Sequence, residues 1–210
     1  MKNLILLFAL FFVTNNPSVD QKEWKFIHTK EGVSIYNREV KGSNLKEFKG
    51  EVTVNASLST IMAVVTDIDN YPNWVYQTKV AKILKKETDN LQYLYVVIKG
   101  QWPVQDRDIV YKCQVTQNPS TQEVVISMIG APNFMPPQKD IVRMPEANGA
   151  FTLTPVGKDQ TKVTYQLQAA TGGIIPQWVA DLVVVDSPYV TLNNLRQEIK
   201  KDKYRNIASY

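Results

Sequence analysis

Residues 172–203 read GGIIPQWVADLVVVDSPYVTLNNLRQEIKKDK. Pro176 suits the first turn of a helix, where its missing N–H is not needed. From there Trp178, Leu182, Val185, Tyr189, Leu192 and Ile199 recur mostly at three- and four-residue steps. That spacing lines one stripe of a helix, and Val179, Val183 and Val190 widen it. A helix from Pro176 to Lys203 would run about 40 Å at 1.5 Å per residue, long enough to cover a whole sheet. Pro188 predicts a kink or restart near Asp186 and Ser187. Arg196, Lys200, Lys201 and Lys203 crowd the end, where the helix dipole favours cations. An apolar stripe of this length must be buried, so the rest of the chain is read for what receives it.

The 210 residues carry a hydrophobic fraction of 44%, ample for a core. A net charge of +4, without like-charge runs or a nucleic-acid motif, excludes nucleic acid as the expected partner. Residues 1–13, MKNLILLFALFFV, place one lysine before a short apolar run, with polar residues following at once. This is the pattern of an export leader, and the run is short for a membrane span. Cleavage is expected near residue 20, with residues 21–210 as one domain and an uncleaved anchor as the alternative. With Cys113 as the single cysteine, no internal disulfide can form.

Between leader and helix the pattern is mostly period two. Strands are expected at 24–28, 33–40, 45–54, 76–87, 91–100, 108–117, 123–130, 148–155 and 162–170. Gly and Asn-rich turns and a proline-rich segment at 131–138 separate them. One helix interrupts the series: after the candidate cap Ser57 come Leu58, Ile61, Met62, Val65 and Ile68 at helical spacing. Asp69 to Trp74 break it. No crossover helices separate the later strands, so the fold class is α+β: a curved antiparallel sheet of about nine strands around a long C-terminal helix. A sheet bent that far leaves a concave, mostly apolar space beneath the helix, the kind of place ligands occupy.

Candidates for chemistry are few. His28 is the sole histidine, which excludes a histidine cluster for zinc and leaves no nucleophile-elbow triad. No metal or cofactor is expected. In Trp102-Pro103-Val104-Gln105-Asp106-Arg107-Asp108 the two aspartates could suggest acid–base work. On a strand they share one face and Arg107 takes the other, so a structural turn with an ion pair is the better reading.

These last residues carry a resemblance. The segment 102–108 resembles the W-P-x-x-x-R-D segment of StAR-related lipid-transfer (START) domains. Met135-Pro136-Pro137-Gln138-Lys139-Asp140-Ile141-Val142-Arg143 is similar to the M-P-x-Q-K-x-x-x-R segment of their steroidogenic acute regulatory branch. Similar stretches follow in the family's order at 149–155, 161–165, 173–179 and 192–199. The resemblance implies a helix-grip fold (START/Bet v1-like), one lipid in the tunnel between sheet and helix, and carriage between membranes without catalysis or cofactor. Some sterol-binding members place a buried acid–arginine pair in the tunnel; here that arginine's position falls on Cys113, which puts sterol in doubt. With the leader, the expectation is an exported carrier, periplasmic or secreted, monomeric, and in transient contact with membranes. A small helix-grip enzyme such as a polyketide cyclase or dehydratase is the alternative, with Asp108, Tyr111, Tyr165 and Arg143 as its candidates.

Given such a tunnel, strand alternation places Ile109, Tyr111, Cys113 and Val115 on its wall. The helix stripe Trp178, Leu182, Val185, Tyr189 and Leu192 forms its roof. Asp108, Arg143 and Tyr165 are polar candidates for the interior. The gate is expected in the proline-rich loop 131–137, at Phe134, Met135 and Pro136, whose prolines keep it out of the sheet, with the start of the terminal helix beside it.

Overall fold

The protein was analysed as a computed structural model that describes residues 23–40, 46–170, 173 and 175–204. The side chains of Lys46, Gln177, Ala180, Asp181 and Leu182 are also outside the description. The leader expected at 1–20 therefore lies outside the described residues.

Alternating residues produce the strands β1 (Lys25–Lys30), β2 (Val33–Glu39) and β3 (Lys46–Val54). Helix α1 (Leu58–Thr66) follows, capped by the Ser57 hydroxyl, which accepts from Thr60 N at 3.2 Å. Its apolar positions Ile61, Met62, Val64 and Val65 are buried. A 3₁₀ turn (Ile68–Asn73) leads into β4 (Thr78–Thr88), β5 (Leu91–Ile98), β6 (Arg107–Gln117) and β7 (Val124–Gly130). Then come the two-residue β8 (Val142–Arg143), β9 (Glu146–Gly157), β10 (Gln160–Ala170), α2 (Gln177–Glu198) and a 3₁₀ turn at Asp202–Tyr204.

The strands form one sheet in the order β1-β2-β3-β10-β9-β7-β6-β5-β4, with β8 beside β6. All neighbours are antiparallel except β6 and β8. Strand β8 has no sequence signal because two residues are too few to show alternation. The β4–β5 ladder shifts register at three places, and such bulges bend a strand and increase its twist. The concave face of the bent sheet receives α2.

Helix α2 is bound most closely where β3 is thinnest. A methyl group at Gly50 would lie 2.8 Å from Leu192 Cδ1 and 2.9 Å from Pro188 Cβ, so only glycine lets helix and strand meet at this distance. This contact also accounts for the proline. The helix runs on through Pro188 instead of restarting before it. Proline withholds only one backbone hydrogen bond there, and its ring is seated against β3.

The C-terminal half of α2 is further tied by polar contacts. Asn194 Nδ2 donates to Trp74 O at 3.1 Å, Arg196 Nη1 to Glu31 O at 2.7 Å, and Asn70 Nδ2 to Glu198 Oε2 at 2.9 Å. The helix ends at Glu198, short of the expected Lys203, because the chain tightens into i→i+3 bonds at Lys200 and Lys201. That turn buries Tyr204, whose hydroxyl donates to Asp67 Oδ2 at 2.7 Å. Among the described residues no helix is long and apolar enough to cross a membrane.

Candidate functional site

The space between the concave face and the N-terminal half of α2 is a cavity of about 270 Å³. Its floor is built by strand alternation. On β6, Arg107, Ile109 and Tyr111 face it, while Asp108 and Val110 point to the convex side. Leu94, Val96 and Ile98 of β5 and Phe151 of β9 continue the floor. The roof is Ile175, Val179, Val183, Val184 and Ser187. The deep end, at Phe48, Tyr71 and Phe151, is aromatic and buried; the other end includes the exposed Gln77, Lys99 and Gln101 and therefore reaches the surface.

That outer end is shaped by the loop 99–105 between β5 and β6. Asp106 clips its base: Oδ1 accepts from Gly100 N at 2.9 Å and Oδ2 from Lys79 Nζ at 2.9 Å. Gly100 is required because a Cβ there would overlap the Val104 and Gln105 carbonyl oxygens. The loop thus turns back tightly and holds Trp102 out in solvent, 87% exposed. Trp178, 50% exposed, stands on the first turn of α2, beside the roof residue Val179.

Burial sets the protonation states inside. The Tyr71 and Tyr111 phenols are pushed well above their usual pKa by burial, and Tyr165 is pushed up to about 12. These groups stay protonated near neutral pH, and the Tyr71 hydroxyl donates to Val65 O at 2.7 Å. Cys113 is likewise pushed up to about 12 by burial, so its thiol is not a nucleophile. Arg107 is 7% exposed and its Nε has no partner. Among the described residues there is no group of three His, Cys, Asp or Glu that could hold a metal ion.

Several expected site residues sit elsewhere. Ile109, Tyr111 and Tyr165 line the cavity. Cys113 and Val115 share their face but belong to the packed core beyond it, where side chains of the first turns and β9 fill the space. On α2, Leu192 is fully buried against β3, past the cavity's end, and Tyr189 lies under Lys30 Nζ, 4.4 Å from its ring centroid. Trp178 and Val185 are also outside the lining. The side chain of Leu182 is outside the described residues. The roof uses a stripe rotated from the expected one, since the run Val183-Val184-Val185 contains no polar residue to fix its phase.

Asp108 and Arg143 are a correction too: neither lines the cavity. Parallel pairing of β8 with β6 sets Arg143 beside Asp108 on the convex side. Arg143 Nε donates to Asp108 Oδ1 at 2.7 Å and Nη2 to Oδ2 at 3.1 Å, a two-point pair with Asp108 wholly buried. The same guanidinium donates to the carbonyls of Pro132, Met135 and Pro136. Tyr95 hydrogen-bonds Asp108, and burial first, then that carboxylate, pushes its phenol up to about 12. The expected gate follows this pair. Phe134 stacks on Tyr93 with centroids 3.9 Å apart, and Met135 packs on the convex cluster of Tyr95, Val97 and Val110. Loop 131–137, Pro136 included, covers the outer face of the sheet and contributes nothing to the cavity. Arg107 is the residue the sequence reading passed over. Its alternation with Ile109 was the available signal.

With this geometry in hand, the likenesses to other proteins fall into place. A protein of Pseudomonas aeruginosa described as uncharacterized is 33% identical over 202 residues, 96% of this chain and 98% of its own. The mouse phosphatidylcholine transfer protein is 25% identical over 168 residues, covering 78% of this chain and 77% of that protein. The crystal structure of a STAR-related lipid transfer protein from Xanthomonas axonopodis superposes with a TM-score of 0.78 at 35% identity, covering 85% of this chain and 99% of that one. The START domain family model matches residues 13–193. A curved sheet gripping a C-terminal helix over a mostly apolar cavity, together with that match, makes this chain a member of the START domain family.

Proposed function

We propose that the protein binds a single lipid in the cavity beneath α2 and carries it between membranes without catalysis. The observation that carries this reading is the cavity itself: deep, walled mostly by Val, Ile, Leu, Met and aromatic side chains, and built from the fold's own curvature. The names of the mouse and Xanthomonas relatives, both lipid transfer proteins, support it. Against the enzyme alternative stand the titratable groups on the lining: among the described residues these are tyrosines held protonated by burial, with Lys99 and Arg107, and no carboxylate or histidine.

At about 270 Å³ the cavity lies at the low end of ligand pockets, which start at about 300 Å³. Loading a lipid therefore needs the outer end to open. The C-terminal half of α2 is tied down by hydrogen bonds, while the described contacts of its first turns with the cavity are apolar. The start of α2 and loop 99–105 are thus the moving parts, and Trp102 and Trp178 the residues that meet the membrane. Tryptophan favours the bilayer interface, where its ring is apolar and its N–H stays wet. The leader-like segment at 1–13 supports action outside the cytoplasm, where a soluble carrier would bridge an aqueous gap.

Transfer of a fluorescent phospholipid from donor to acceptor vesicles tests this. The protein should raise the rate above spontaneous exchange. Trp102→Ser should slow transfer several-fold while leaving Tm and the bound fraction unchanged, because Trp102 is solvent-exposed and packs on little. No acceleration by the unaltered protein contradicts the carrier reading. Equal rates for both proteins would move the docking edge elsewhere.

A further inference from the structure

The outer end of the cavity contains a buried cation with no counter-charge. Arg107 is 7% exposed, yet no carboxylate of the described residues lies within ion-pair distance of it. Its Nη1 donates to the Gln105 carbonyl, and its Nε is buried with no hydrogen-bond partner at all. The adjacent aspartates are both committed elsewhere. Asp106 is held by Lys79 and Gly100, and Asp108 by Arg143 on the opposite face of the sheet. Burying a guanidinium without a counter-charge is costly, and burial lowers the pKa of Arg107 for the same reason. Such a group marks a place where the missing partner comes from outside.

The surroundings say what that partner looks like. Arg107 opens β6, directly across the β5 ladder from Ile98, at the solvent-reaching end with Lys99 on the same rim. From it Ile109 and Tyr111 lead along one strand face towards the apolar deep end at Phe151 and Phe48. A ligand matched to this wall has a charged group at one end and an apolar chain behind it.

We propose that Arg107 is the polar anchor of the cavity and that the ligand is an anionic amphiphile. Its phosphate or carboxylate sits against the Nε edge of the guanidinium, and its alkyl chain runs inward over Ile109 and Tyr111. The planar fork of arginine suits two oxygens of either group. This rests on the reading of the cavity as a lipid site and adds the headgroup class to it.

The test uses three ligands that share one alkyl chain: laurate, dodecyl phosphate and 1-dodecanol, titrated calorimetrically into the purified protein. The unaltered protein should bind both anions more tightly than the alcohol by about tenfold or more, the fold-change of one hydrogen bond to a charged group. Arg107→Gln should abolish that preference and leave dodecanol affinity unchanged, while Arg107→Lys should keep part of it. A tighter dodecyl phosphate assigns a phosphate headgroup, and a tighter laurate a carboxylate. Equal binding of alcohol and anions by the unaltered protein overturns the anchor, and needs no variant to fold. Equal weakening of all three ligands in Arg107→Gln also overturns it, by making Arg107 a structural residue. If none of the three binds the unaltered protein, the lipid reading falls with it, an outcome distinct from binding without charge preference.

Discussion

Arg143→Ala is expected to destabilise the protein by about 3–5 kcal/mol, the cost of breaking a buried ion pair by removing one partner. The Asp108 side chain is 0% exposed and that of Arg143 10% exposed, so water cannot take over from the guanidinium. The loss is wider than one pair. The carbonyls of Pro132 and Met135 in loop 131–137 lose the guanidinium as donor at the same time, and that of Pro136 keeps Gln138 Nε2 alone. The loop is then held to the sheet by Phe134 on Tyr93, the packing of Ala131 and Met135, and the backbone bond from Ala131 N to Val110 O at 2.7 Å. Urea denaturation of Arg143→Ala, Asp108→Ala and the double variant gives the coupling directly. The double variant should be clearly less destabilised than the sum of the singles, because it leaves no orphaned charge. A loss for Arg143→Ala below about 1 kcal/mol, the range of a solvent-exposed pair, would contradict this placement.

Val183→Trp should close the cavity. Val183 sits in the middle of the roof, between Val179 and Ser187 on the same helix face, so a larger side chain has nowhere to go but down into the space over Ile109 and Tyr111. An indole over the cavity floor adds contacts for its wall, so Tm should hold or rise. Lipid uptake from vesicles should fall by about tenfold or more, on the premise that ligand and indole compete for one volume. Unchanged uptake with an intact fold would mean that the ligand is held elsewhere.

The architecture was legible because the chain keeps its periods. Nine strands alternate, one long helix repeats at three and four residues, and no crossover helix divides the later strands. Ile109 and Tyr111 followed from alternation on β6 alone. Asp108 was expected in the interior, but as the neighbour of Ile109 on the same strand it points to the opposite face. Its partner Arg143 lies 35 residues further on, and only the β6–β8 pairing brings them together. What sequence could not supply was phase and face. In α2 the bulky Trp178 and Tyr189 suggested the buried stripe, yet Trp178 is half exposed, while Ser187 and Thr191 are buried. Thr191 is tolerated because its hydroxyl accepts from Tyr76 N at 3.1 Å, and Ser187 hydrogen-bonds Tyr165. Tertiary partners of this kind reverse the usual polar-outward rule. Prolines in loop 131–137 predict that it leaves the sheet, but not which side of the sheet it then covers. The opening was accordingly expected at Phe134, whereas the structure puts the cavity's outer end at the loop holding Trp102.

Native mass spectrometry of the protein after incubation with mixed-lipid vesicles tests the central claim most directly. The account predicts one adduct per chain, with the mass of a single anionic lipid, and its loss in Val183→Trp. A bare chain after saturating incubation, or adducts of unchanged amount in Val183→Trp, would contradict it.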